Sequence, residues 1–107
     1  MVERVEQVRN DSPRSVEVHL EPWGAVHTLA PGSMLRIVAR SSTEGALEVV
    51  REENHITVFA WPGSTVQVFE GTTLVEDCRP PVPDLPKGMS VRRFVELMFG
   101  SSAEGES

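Results

Sequence analysis

This chain predicts a mainly β fold: a small antiparallel β-sandwich or partly open barrel of about seven strands, with one short C-terminal α-helix. Three observations carry the prediction. Turn-forming residues recur at intervals of about 8–12 residues between Asn10 and Gly71, the spacing of a small sandwich or barrel. The segments between those turns alternate apolar and polar side chains, as strands half buried against a core do. After Cys78 the pattern changes, first to a proline-rich stretch and then to apolar residues at helical spacing.

The N-terminal segment is ambiguous, because Val2, Val5 and Val8 recur at every third position and fit neither period. An edge strand or a frayed arm is expected there, followed by a loop at Asn10-Asp11-Ser12-Pro13. Residues 15–20 alternate cleanly, with Val16, Val18 and Leu20 on one face and Glu17 and His19 on the other. Glu21-Pro22-Trp23-Gly24 is a turn, residues 25–30 the return strand, and Pro31-Gly32 its end. Residues 33–41 form a longer strand, with Leu35, Ile37 and Ala39 on one face and Arg36 and Arg40 on the other. After a loop at 42–45, strands at 46–52 and 55–61 meet at Glu53-Asn54. They lead into the turn Pro62-Gly63-Ser64, and a hairpin of residues 66–69 and 72–75 leads out of it on Glu70-Gly71.

The stretch from Leu47 to Val75 therefore organises the fold. A weak internal echo runs through it. Shifting the chain by 31 residues aligns Glu17, Val18, Glu21, Pro31, Gly32 and Ser33 with Glu48, Val49, Glu52, Pro62, Gly63 and Ser64. Either the two halves share a device, or two common hairpins end in a common turn.

Four prolines among residues 79–86 exclude a helix or a central strand and predict a stiff, extended connector. Ser90 then caps a short helix stopped by Gly100, with Val91, Phe94, Val95 and Met98 on one face. The chain thus divides into a β domain (1–79), a proline-rich connector (80–89), a helix (90–100) and a small, acidic tail (101–107) expected to be disordered.

A length of 107 residues is one domain with room for a core that needs no metal or disulfide staple. The net charge of −6 speaks against a nucleic-acid surface, which needs clustered Lys and Arg. Nine Arg against one Lys, with no Tyr, resembles the usage of a GC-rich bacterial genome. The single cysteine excludes an internal disulfide. No apolar run follows Met1 and none reaches the length of a membrane span, so a cytoplasmic protein without a membrane role is expected.

Catalytic and metal chemistry find little support. With a four-residue turn at 21–24, Val18 faces His27 and Leu20 faces Ala25, so His27 shares the apolar face while His19 lies opposite it. The three histidines and Cys78 diverge, with no CxxC or HxxxH spacing, and no metal site is expected. A blue-copper site fails because no histidine follows residue 55. Cys78 with His55 is a chance pairing, and adjacent carboxylates such as Glu52-Glu53 point to opposite faces. No phosphate loop is present, and no cofactor is expected.

Surplus apolar surface is the informative feature. If Phe69 faces Thr72 and Val66 faces Val75, then Val66, Val68, Val75, Ile56, Val58 and Ala60 line the core. Phe59, Trp61, Phe69 and Leu74 are left on other faces, with Met34, Val38 and Val50 similarly placed. Something must cover them: the C-terminal helix, a second sheet, or another protein. A helix of nine residues is unstable alone, so Phe94, Val95 and Met98 must also dock.

The expected function is a non-catalytic protein-interaction module, possessing either a protein partner or a homodimeric one. Its expected surface is Phe59, Trp61, Phe69, Leu74, Phe94, Val95 and Met98. The alternative is a small-molecule-binding β-barrel with Trp23 and His27 lining its mouth.

Overall fold

The computed structural model describes residues 1–99. Eight strands and one helix follow one another: β1 (Val2–Arg9), β2 (Val16–Glu21), β3 (Ala25–Leu29), β4 (Met34–Ser41), β5 (Glu48–Arg51), β6 (His55–Phe59), β7 (Thr65–Glu70), β8 (Thr73–Cys78) and α1 (Val91–Phe99). They build two four-stranded sheets, β1-β4-β7-β8 and β3-β2-β6-β5, packed as a sandwich. No barrel closes among the described residues, because no strand pairs across the two sheets. Val8, Leu35, Ile37, Ala39, Val66 and Val68 of the first sheet meet Val16, Val18, Leu20, Leu29, Ile56 and Val58 of the second in one apolar core. No described helix is long and apolar enough to cross a membrane.

Two features complete the expected topology, the first by deciding for an edge strand over a frayed arm at the N-terminus. The first is an eighth strand. β1 pairs antiparallel with β4 along its whole length and forms an edge of the first sheet. Its threefold valine spacing straddles both faces: Val8 is buried opposite Leu35, while Val5 faces outward opposite Val38. Arg4 and Glu6 occupy inward-side positions of β1 and stay exposed, a device that keeps an edge strand from pairing further. The second feature is a parallel pair, β2 with β6, in a sandwich otherwise antiparallel. The two strands belong to separate hairpins, so each connection remains short and the parallel contact is made between hairpins.

The β2–β3 register is the expected one, with Val18 opposite His27 and Leu20 opposite Ala25. The β7–β8 register is not. Its two turn residues are Gly71 and Thr72, with Glu70 opposite Thr73 and Phe69 opposite Leu74. Gly71 has φ of 62° and takes the first turn position, where a type II′ turn requires glycine; the expected Glu70-Gly71 turn would have put a glutamate there. A bulge at Val68/Phe69 then shifts the pairing again. Val68 comes to face Glu76 and Val66 to face Cys78, which brings the thiol inward and leaves Asp77 opposite Gln67.

The 31-residue echo is a shared backbone device. In the first turn the Gly32 N–H donates to the Asn10 carbonyl (2.7 Å) and the Asn10 N–H to the Ser33 carbonyl (2.9 Å). In the second, the Gly63 N–H donates to the Val82 carbonyl (2.8 Å) and the Val82 N–H to the Ser64 carbonyl (3.0 Å). Each Pro-Gly-Ser turn thus clasps a passing segment with the same pair of bonds, and each glycine has positive φ. The echo is not a two-fold axis of the second sheet. Such an axis would exchange β2 with β6, whereas the echo aligns β2 with β5.

The second clasp fixes the connector. Val82 is buried against the domain, and Ser90 opens α1 by accepting the Arg93 N–H on its side-chain oxygen (3.1 Å). Val91 is buried in the common core cluster and Val95 packs on it. Arg92 donates to Glu48 of β5 (2.7 Å), the residue opposite Phe59 in the β5–β6 pair. The helix is therefore anchored through its first two turns at that corner of the second sheet's outer face.

Candidate functional site

Three segments converge on one concave surface. The β2–β3 turn projects Trp23, after a cis Glu21–Pro22 bond and before Gly24, which has φ of 79°. The Trp23 indole N–H donates to the Pro80 carbonyl (2.8 Å), tying this turn to the connector, whose own Arg79–Pro80 bond is cis. The clasped Val82 holds the connector in place, and the first turns of α1 form the remaining wall. The result is a cleft of about 250 Å³ walled by Trp23, Pro81, Leu85, Val91 and Phe94 among others. All nine lining residues are proline, aliphatic or aromatic, and the one polar side-chain atom, the Trp23 indole nitrogen, is already engaged. Such walls bind apolar groups by desolvation and supply no acid, base or nucleophile.

Beyond Val95 the helix leaves its support. Leu97, Met98 and Phe99 are 55%, 61% and 74% exposed. Met98 lies on the expected apolar face, but the anchoring contacts sit at Val91, Arg92 and Val95, one to two turns earlier. Phe94 and Val95 are half-buried, Phe94 in the wall of the cleft and Val95 against the core.

The remaining residues of the expected surface divide. Phe59 and Trp61 lie inside the molecule, at 8% and 6% exposure, so neither offers a surface. Phe59 is on the outer side of β6, at the corner where Arg92 of α1 reaches Glu48. Trp61 is covered by the 42–47 loop: its indole N–H donates to the Thr43 carbonyl (3.1 Å), and Gly45 lies against its ring. Phe69 and Leu74 do face outward, paired on the first sheet, with the Arg36 guanidinium 4.6 Å above the Phe69 ring. Leu74 is 45% exposed; Met34 on β4 and Val5 on the opposite edge strand β1 share its sheet face.

Trp23 and His27 do not share a site. His27 sits on β3 at the rim of the core, 3.4 Å from Glu70, and is not part of the cleft. The parallel β2–β6 pair instead brings His19 and His55 together on the outer face, with ring centroids 5.3 Å apart. Glu17 stands 3.0 Å from His19 and Glu52 3.9 Å from His55. Among the described residues, no three His, Cys, Asp or Glu side chains are arranged to hold a metal ion. Nothing in the sequence signals this contact, because the strands belong to different hairpins.

Cys78 is buried. Burial first, and then the neighbouring Glu76 and Asp77 charges, push its thiol up to about 11, so it is neutral at physiological pH and carries no nucleophilic thiolate. Burial also raises the Glu21 carboxyl above its ordinary value, against the opposing pull of His19.

Searches against protein-family models, curated proteins and solved structures found no significant match to this chain.

Proposed function

We propose that this chain is a non-catalytic protein-interaction module, and that it receives apolar side chains of a protein partner in the Trp23–Phe94 cleft and along the exposed end of α1. The carrying observation is the combination on one element: an apolar cleft without ionisable groups, continued by three consecutive exposed apolar residues. The contact surface in this reading is Trp23, Leu85, Phe94, Leu97 and Met98, in place of the interior Phe59 and Trp61. The volume supports side chains over metabolites. About 250 Å³ is below the ~300–1,000 Å³ of ordinary small-molecule sites. The arginine-rich, lysine-poor composition supports a bacterial origin in a GC-rich genome.

Selection of peptides from a random display library on the immobilised full chain tests the reading. Enrichment of peptides with apolar anchors is expected, with binding lost in Leu85→Asp and the thermal unfolding of that variant still cooperative. Selection that yields no binders, or binders indifferent to both Leu85→Asp and Met98→Asp, would overturn it. The alternative, an apolar small molecule in the same cleft, draws on its Trp23 and Phe94 walls. It predicts thermal stabilisation by indole or a similar aromatic probe, lost in Leu85→Asp.

A further inference from the structure

We draw no further inference here: the strongest candidate, the apolar Trp23–Phe94 cleft beside the exposed Leu97-Met98-Phe99 turn of α1, carries nothing beyond the reading above, because nothing in the structure shows what covers it.

Discussion

Asn10 shows how much one buried polar side chain can organise. Its amide donates to the carbonyls of Arg14 (2.7 Å) and Leu29 (3.0 Å), and its oxygen accepts from the Ser12 N–H (3.0 Å) and hydroxyl (2.7 Å). All four hydrogen-bonding positions of the amide are filled, and the backbone of the same residue, just past β1, is what the first Pro-Gly-Ser turn clasps. Asn10→Ala should cost roughly 2–3 kcal/mol, since buried groups lose their partners, and denaturant unfolding measures it. Gly45 acts by absence of volume: a Cβ there would overlap the Trp61 indole, so Gly45→Ala should destabilise by at least about 1–3 kcal/mol. Two ionisable groups give pH signatures. The Cys78 thiol is pushed up to about 11 in the fold, so between the unfolded value of about 8.5 and 11 the native state holds the extra proton. Stability should therefore fall as pH rises through that window, and Cys78→Ala should flatten the fall. Glu21 is also raised, so its stabilising contribution is present at acidic pH and lost as pH rises. Glu21→Gln should raise the melting temperature at pH 7, with the gain shrinking toward pH 4.

The element that repays study is the arm formed by connector and helix. It is held by a few unlike contacts: the Val82 clasp, the Trp23–Pro80 bond, the Ser90 cap, the burial of Val91, and the Arg92–Glu48 pair. These differ in worth. The Arg92–Glu48 pair is exposed, and such pairs contribute about 0–1 kcal/mol, less in salt. The cap contributes about 0.5–2 kcal/mol. Native-state hydrogen exchange should accordingly show α1 amides exchanging faster in Ser90→Ala than in Arg92→Ala, with the β4 and β7 amides unchanged in both. The arm's proline content was plain from the sequence, and so was its extended form. Where Val82 would dock was not, because a single strand-like residue among prolines carries no period.

At the scale of the whole molecule, the arm covers what the sheets leave open. Ending the chain at Arg79 removes Val82, Val91 and Val95 from the core cluster and uncovers Trp23 and the corner at Phe59. The shortened chain should melt lower and expose its core to a hydrophobic dye on milder heating than the full chain does; equal melting temperatures would show that the arm contributes nothing to the fold. The sequence by itself determined the mainly β class, most strand positions, the β2–β3 register and the recurrence at residues 31 and 62, because these depend on alternation and turn chemistry within about a dozen residues, and it left sandwich and partly open barrel as alternatives. It left the N-terminal segment open between an edge strand and a frayed arm, because the valines of β1 serve two faces, and it placed the β7–β8 turn one residue early, with a glutamate at the position that Gly71 takes at positive φ. Only the tertiary structure decided that β2 and β6 lie parallel, that His19 meets His55, that Phe59 and Trp61 are interior, and that Trp23 joins the prolines in a cleft. Those outcomes depend on contacts between segments far apart in the chain, where side-chain packing and excluded volume select among arrangements that local propensity leaves equal.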